Sequence, residues 1–489
     1  MMSVMSNEIV RPTVKRRWRT WPVLLLMLVA IIACFACYQW YLQRTFNSRL
    51  QAAIEATDES DLRWRWAEMV EDYEKLPASP HITKLLVPWR GYLGWFGDDI
   101  SSRPGAIPYD RDGKHYHVRF PEPYFKILQE RLQVPEATGL KVTREELKLL
   151  AQEPNVCKMP FDDLNIAQRA RSTSNYLLDE MELVAHQSNG EALIPLLQSQ
   201  LRLSRYCMAA PKPIMQLVGM ALGRQGGSGI KRALSLGTLS PALLLQFQKL
   251  FEAEDQSHLV HILRSVRAEQ FDDLEQAKHD PERRQKLRNN LLNSVMMPSS
   301  PTIAQRFNYW WKWLEVESSM NSLTLAQAEI LECSSGAITL AKTRPQALTG
   351  YFPEKLNTVK HLIARQFIQV STKLTSAEMS TQAELRALIV ALACERYRLA
   401  RGNWPTSLKE LLPEYLQEIP IDPYTGKELI YRLLPDGVVI YSVGHDLIDN
   451  GGEVLDTPLG RRDRGVKLFD LDQRGKKYEE LGQEKGMSE

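Results

Sequence analysis

The residues best suited to chemistry lie close together near the C-terminus. Within eleven positions the chain carries five side chains with oxygen atoms that can bind a metal: Asp446, Asp449, Asn450, Glu453 and Asp456. Calcium takes about six to eight oxygens, a number that backbone carbonyls and Ser442 would complete. Gly451 and Gly452 would let the backbone curl around an ion. The spacing predicts a calcium site, and a solvated Asp/Asn/Gly turn without metal is the alternative.

Other groups with catalytic potential have less support from their spacing. His258 and His261 share a face of an expected helix, but no third metal ligand is indicated nearby, so a solvated helix face is favoured. Ser442, His445 and Asp446 supply the residue types of a hydrolase triad, yet three residues on one turn do not give triad geometry. The chain carries no nucleophile-elbow, zinc-protease or phosphate-loop motif. No catalytic residue is assigned, and an enzyme is the less favoured class.

An aromatic cluster is the remaining candidate for recognition. It consists of Phe307, Tyr309, Trp310, Trp311 and Trp313. Aromatic side chains at this density can stack on sugars or anchor a protein partner. A helix buried in a bundle explains the same pattern and is the favoured interpretation.

The N-terminus predicts a membrane anchor. Residues 21–42 contain no charged side chain and would form about 33 Å of helix, enough to cross a hydrocarbon core of about 30 Å. Five basic residues precede this span: Arg11, Lys15, Arg16, Arg17 and Arg19. The positive-inside bias predicts an N-terminus in the cytoplasm and the remaining chain on the far side. The expected location is the inner (cytoplasmic) membrane, with the bulk of the chain periplasmic or otherwise extracytoplasmic. A cleaved signal, or a lipoprotein signal with Cys34 as the lipidated residue, stays open.

The elements that must position these residues are mainly helical. Capping and proline signals predict a helix that starts at Asp162 or Asp163 and others that start at Pro241 and Pro281. Residues 226–229 are expected to form a flexible Gly-rich break. A helix over 384–401 should end at Gly402, followed by strands over 428–433 and 438–442 that form a β-hairpin. Residues 466–471 are a candidate third strand.

The C-terminal stretch 395–452 also carries a motif set found in known proteins. Its residues are Tyr397, Gly402, Trp404, Pro405, Ser407, Leu408, Leu411, Pro420, Asp422, Pro423, Gly426, Tyr441, Ser442, Gly444, Asp446, Asp449, Gly451 and Gly452. The set resembles the C-terminal part of type II secretion major pseudopilins. It resembles more closely the module that ends many uncharacterised membrane-anchored proteins of planctomycete bacteria. The pseudopilin resemblance implies calcium in the loop after the hairpin. The N-terminal span lacks the pseudopilin peptidase site and acidic residue, so a shared module is implied rather than a shared machine.

Composition narrows the function classes. The chain has 489 residues with 61 Lys plus Arg against 59 Asp plus Glu, so its net charge of +2 does not indicate nucleic-acid binding. A mean hydropathy of -0.31 excludes a transporter with many spans. Six cysteines permit a disulfide in an oxidising compartment, but their spacing does not pair them.

These observations predict a mainly α protein with an N-terminal transmembrane helix, a large helical bundle or irregular α-solenoid, and a small C-terminal α+β module with a β-hairpin. The expected organisation is a basic cytoplasmic tail (1–20), the transmembrane helix (21–42), a stalk helix with a Pro/Gly/aromatic-rich region (43–120), a helical exported domain (121–382), a pseudopilin-like module (383–460) and a charged tail (461–489). The expected function is a structural or protein-interaction role in the envelope, with a link to secretion as an option, and the expected partners are the lipid bilayer and envelope proteins. An exported hydrolase and a sugar- or peptidoglycan-binding protein are the alternatives.

Overall fold

The structure is a computed structural model of the chain that describes residues 21–79, 82, 125–126, 128–129, 132, 149–237, 239–293, 302–454 and 463–475. The predicted fold class is confirmed. These residues are mainly helical, begin with a long apolar helix and end with a three-stranded antiparallel sheet. Asp456, the basic tail and the far end of the charged tail lie outside the described residues, as does most of the Pro/Gly/aromatic-rich region.

Twelve helices and three strands make up the described part of the chain. The helices are α1 (Trp21–Ser60), α2 (Trp66–Glu74), α3 (Leu164–His186), α4 (Leu193–Ala209), α5 (Pro213–Leu236), α6 (Pro241–Glu252), α7 (Leu259–His279), α8 (Pro281–Asn293), α9 (Ile303–Met320), α10 (Leu323–Thr343), α11 (Leu348–Thr358) and α12 (Leu362–Arg401). The strands are β1 (Ile430–Leu434), β2 (Gly437–Ser442) and β3 (Arg464–Phe469).

Local sequence signals set several helix ends as predicted. Asp163 caps α3 by accepting a hydrogen bond from the backbone N–H of Asn165 (2.9 Å). Pro241 and Pro281 occupy the first positions of α6 and α8, where the missing N–H has no intrahelical partner to lose. α12 ends at Gly402, whose φ of +84° lies in the left-handed region that favours glycine.

The helix α1 has two unlike halves. Positions 23–41 are exposed and strongly apolar, and the helix is long and apolar enough to cross a membrane. The second half packs along α10, where Ala53 joins Ala328 and Leu331 in a small buried cluster. The helix therefore passes without interruption from the apolar segment into the folded body.

The helices α3, α4 and α5 pack closely because glycines line the contact. The prediction of a flexible break at residues 226–229 is wrong, since α5 runs straight through them. A Cβ atom on Gly229 would lie 2.5 Å from Cε of Met181 on α3, and one on Gly226 would lie 3.2 Å from Cγ of Gln200 on α4. These glycines serve close helix packing and not flexibility.

The central helix α12 is longer than predicted, because its 40 residues begin at Leu362 and not near position 384. Its first half contributes to a core with α7, α10 and α11, and its second half to a core with α3, α4, α5, α6 and the sheet. The expected boundary between the helical domain and the C-terminal module, at 382/383, falls within this helix.

The C-terminal sheet has the order β1-β2-β3 with both pairs antiparallel. The predicted hairpin is confirmed, with Ile430 opposite Tyr441 and Leu434 opposite Gly437. The third strand is also present, two residues earlier than expected. Every residue of β2 is buried, since its neighbours are strands on both sides and α12 packs against the sheet.

Candidate functional site

The acidic loop after β2 uses much of its hydrogen-bonding capacity on the protein itself. The Asp449 carboxylate accepts from Arg432 Nη2 (2.6 Å), from the Tyr441 hydroxyl (2.8 Å) and from the backbone N–H of Gly451 (2.8 Å). The Gly451 N–H is the largest of the influences that lower the pKa of Asp449, with Tyr441 and Arg432 adding to it. Asp449 is thus held as a carboxylate by protein groups.

The other predicted ligands stand in the same loop with separate contacts. Asp446 Oδ1 accepts from the backbone N–H of Ile448 (3.1 Å), and the Asn450 amide donates to the Ile448 carbonyl (2.9 Å). Glu453 follows, whereas Asp456 lies outside the described residues. No group of three or more His, Cys, Asp or Glu side chains is arranged to hold a metal ion within the described ranges. The calcium site stays a prediction.

A buried aspartate anchors this loop, and nothing in the sequence indicated it. Asp463, fully buried just before β3, accepts from the backbone N–H of Gly452 (2.7 Å) and of Asn450 (3.3 Å). Burial raises the pKa of Asp463, although these two hydrogen bonds favour the charged form. A lone aspartate after a charged stretch carries no sequence signal of this role.

Ser442 has a structural role that occupies its hydroxyl. The side chain is fully buried and its hydroxyl donates to Asp422 Oδ1 (2.8 Å), which also accepts from the backbone N–H of Tyr424 (2.9 Å). The Tyr424 hydroxyl in turn donates to the Ser376 carbonyl on α12 (3.0 Å). The Asp-Pro-Tyr turn is therefore a clamp between β2 and α12, and Ser442 is not an exposed nucleophile.

The end of α12 holds a buried cluster of charges. Glu395 is fully buried and accepts from Arg474 Nη1 and Nη2 (2.8 and 2.9 Å) and from Arg398 Nη2 (2.7 Å). Burial acts to raise the pKa of Glu395, but the hydrogen bonds from the two arginines outweigh it and lower the pKa. Both guanidinium groups lie over the ring of Trp404, whose indole N–H donates to Asp470 (2.6 Å). This buried ion pair, with both arginines stacked on Trp404, fastens the chain after β3 to α12.

The body also contains a cleft between α4, α5, α12 and the chain after α6. It encloses a cavity of about 70 Å³. Its apolar lining consists of Leu201, Met208, Met220, Phe251, Leu385 and Leu388. Gly223 and Gly227 form part of one wall and keep it open, since neither has a side chain to fill the space.

The cleft carries two unused donors beside three glutamates, two of which are already paired: Glu254 with Arg205 and Glu384 with Arg464. The Gln382 side chain is 5 % exposed, and its Nε2 has no hydrogen-bond partner in the part of the chain that the structure describes. Arg224 is half-buried there and has no ion-pair partner among the described residues. Glu378 accepts from the backbone N–H of His258 (3.0 Å), and burial raises the pKa of this carboxyl. Two unused donors above an apolar floor suit a carboxylate on a small apolar body.

The remaining candidates differ from expectation. His258 precedes α7 and is half-buried. Burial lowers the pKa of His261 to about 4, so the prediction of a solvated helix face is wrong for His261. The aromatic cluster lies on α9. Phe307, Trp310 and Trp311 are exposed, so their interpretation as buried residues was also wrong.

No protein-family model, curated protein or solved structure matches the chain. The geometry offers three features: a helix that joins an apolar segment to a folded body, a closed polar clamp in the C-terminal module, and a cleft with unused donors.

Proposed function

We propose that the protein is a single-pass envelope protein, anchored in the inner membrane by α1, that holds its helical body and C-terminal module on the extracytoplasmic side for contact with envelope proteins. One observation carries the proposal: α1 continues from an exposed apolar segment directly into a docked one. A body joined in this way has a fixed position at the membrane surface. Such geometry suits a scaffold better than a tethered enzyme.

Specific contacts support the rigid junction. Arg49 makes a two-pronged ion pair with Glu332 (2.8 and 2.6 Å) on α10, and Thr57 lies 3.5 Å from Ser335. Just after α1, Asp61 accepts from Arg264 (3.1 Å) on α7. Contacts at two levels along α1 and one just beyond its end resist rotation of the body relative to the span.

The orientation follows from charge. The five basic residues before the span, against Arg44 and Arg49 after it, favour a cytoplasmic N-terminus. A reporter fused after Glu489 should be active only outside the cytoplasm. Activity of that fusion in the cytoplasm would contradict this orientation.

Anchoring is tested by alkaline carbonate extraction of membranes that contain the full chain. Wild type should stay in the pellet, and Leu28→Arg/Ile32→Arg should move to the supernatant, since each central arginine costs about 2.5–3.5 kcal/mol on insertion scales. Leu62→Arg is the matched control, because Leu62 is equally apolar and 79 % exposed but lies after α1. Extraction of wild type, or of Leu62→Arg alone, would count against α1 as the anchor.

The interaction role is tested by capture of partners from solubilised envelopes with the full chain as bait. The C-terminal module, whose motif set resembles that of secretion pseudopilins, is the expected contact. Arg432→Ala/Asp449→Ala removes an exposed ion pair of this module, and Arg63→Ala/Asp72→Ala removes an exposed pair near α2 as the control. Partners that are lost with the first variant and kept with the second support the role, whereas no specific partner in repeated captures would refute it.

A second candidate function, binding of a small organic acid, is favoured by the unpartnered Gln382 amide in the cleft. Butyrate and benzoate should raise the thermal unfolding temperature of the full chain, whereas butyramide should not, because Arg224 selects the charge. Arg224→Gln should abolish the shift, and Arg365→Gln, which alters an exposed arginine of α12 outside the cleft, should keep it. Equal shifts in both variants would rule out the cleft as the site.

A further inference from the structure

The helix α9 has two apolar faces. One faces the core: Val316 and Met320 are buried, and Tyr309 and Trp313 are half-buried on the same side. At about 100° per residue, a second apolar stripe falls on the opposite side. We call it the aromatic stripe, and its residues with their exposed fractions are Ile303 (88 %), Phe307 (61 %), Trp310 (52 %), Trp311 (61 %) and Leu314 (36 %).

The aromatic stripe is unusual for a surface facing only water. Its members follow the spacing of one helix face, so their exposed areas form one continuous patch about 100° wide. Scattered exposed apolar residues need no explanation, but a contiguous patch of this kind marks an interaction site. Arg306 is exposed next to the stripe on the same helix.

The contacts of α1 give the level of the C-terminal end of α9 relative to the span. Arg49 contacts Glu329 and Glu332, and further along α1 Thr57 reaches Ser335, so α1 and α10 run in the same direction. Distances along the two helices can be measured back from the Thr57–Ser335 contact at about 1.5 Å per residue. On α1 the end of the span at position 42 lies about 22 Å from this contact, and on α10 the start of the helix lies about 18 Å from it. The junction between α9 and α10 is therefore within about 5 Å of the level at which the span ends.

We propose that α9 is an interfacial helix whose aromatic stripe lies in the headgroup region of the membrane that α1 spans. Tryptophan and phenylalanine favour that depth, because an amphipathic helix can bury its apolar face while its polar side stays in water. Arg306 is placed to meet anionic headgroups. This inference rests on the proposed anchoring by α1. The body would then contact the bilayer at two places, which would fix its tilt as well as its distance.

The test is hydrogen–deuterium exchange of the full chain in vesicles of phosphatidylcholine with a minority of phosphatidylglycerol. Amides of residues 303–314 should exchange at least about tenfold more slowly in wild type than in Phe307→Gln/Trp311→Gln, since tenfold corresponds to about 1.4 kcal/mol of added protection. Glutamine keeps helix propensity while removing the apolar stripe. Asn308→Gln, on the polar side of α9, should exchange like wild type, and α8, exposed but polar, should not differ between variants.

The outcomes separate this inference from the anchoring on which it rests. If α1 is protected but residues 303–314 exchange alike in wild type and the double variant, the interfacial helix is wrong and the anchor stands. If α1 is itself unprotected in vesicles, the proposed anchoring fails. Sedimentation with purified peptidoglycan that needs Phe307 and Trp311, without lipid protection, would overturn the membrane assignment in favour of a sugar polymer.

Discussion

The contact that fixes α1 to the body allows a quantitative prediction. Arg267 on α7 is fully buried, and its guanidinium contacts the carboxylate of Asp61. It also lies over the ring of Trp64 at 5.2 Å. Burial lowers the pKa of Arg267, and its Nε and Nη1 atoms are buried with no hydrogen-bond partner among the described residues. Asp61→Ala would leave this charge buried with no carboxylate partner.

The expected loss is about 3–5 kcal/mol in the free energy of unfolding, the usual result of removing one partner of a buried ion pair. No discount for solvent screening applies, because Arg267 is 0 % and the Asp61 side chain only 10 % exposed. The double variant Asp61→Ala/Arg267→Met should recover to within about 1 kcal/mol of wild type, since an apolar replacement of both charges removes the cost of burying them.

The assay is urea denaturation of the full chain in detergent micelles, followed by circular dichroism. Glu71→Ala is the control, because Glu71 pairs with Arg63 in an exposed position where such pairs contribute little. A loss below about 1 kcal/mol for Asp61→Ala would refute the buried-charge reasoning. A double variant no more stable than Asp61→Ala would show that Asp61 acts by something other than compensating Arg267.

Four further outcomes are expected. Glu395→Gln should cost about 3–5 kcal/mol in thermal denaturation, because two buried guanidinium groups lose their counter-charge; a change under about 1 kcal/mol would argue against the cluster. Gly219→Ala should destabilise by about 1–3 kcal/mol, since its Cβ would lie 2.9 Å from a backbone oxygen of α4, whereas Gly227→Ala, with 3.5 Å of clearance, should stabilise by about 0.5–1 kcal/mol. Burial lowers the pKa of His361 from 6.5 to about 4, so the folded state binds its proton less readily than the unfolded state and stability is lost as the pH falls from 6.5 to 4. His361→Gln should remove up to about 3 kcal/mol of that acid sensitivity in urea titrations across this range. Calorimetric titration with calcium should give heat that Asp446→Ala abolishes, and no heat from wild type would end the calcium prediction.

Local chemistry explains which parts of the fold could be predicted. Some helix ends depend only on residues within one turn, so their local sequence is sufficient to predict them. Examples are the cap at Asp163, the first-turn Pro241 and the left-handed Gly402. Gly229 could not be interpreted in the same way. A glycine is needed at this position because a Cβ atom would lie 2.5 Å from the Met181 side chain. Met181 belongs to α3, a helix distant from Gly229 in the sequence. A glycine that breaks a helix and one that admits a neighbour look identical in a single sequence.

The candidate sites follow the same division. The acidic loop was found because its residues are neighbours along the chain, but the groups that hold it or its module are distant. Asp463, which accepts a hydrogen bond from the backbone N–H of Gly452, lies 11 residues away from it, and Arg474 lies 79 residues from Glu395. The cleft could not be anticipated either, since Arg224 and Gln382 come from different helices. Only tertiary packing brings these groups together.

The geometry of α12 gives the proposed scaffold role a physical form. The helix begins beside the α9–α10 junction, where His361 Nε2 lies 3.1 Å from the Ser322 hydroxyl. It reaches the Glu395 cluster in its last two turns, about 50 Å away at about 1.5 Å per residue. α12 thus connects the α9–α10 junction to the C-terminal module as one continuous helix. The buried charges at its far end hold that module against the helix in one orientation, as the proposed scaffold role requires and as a flexible stalk would not do.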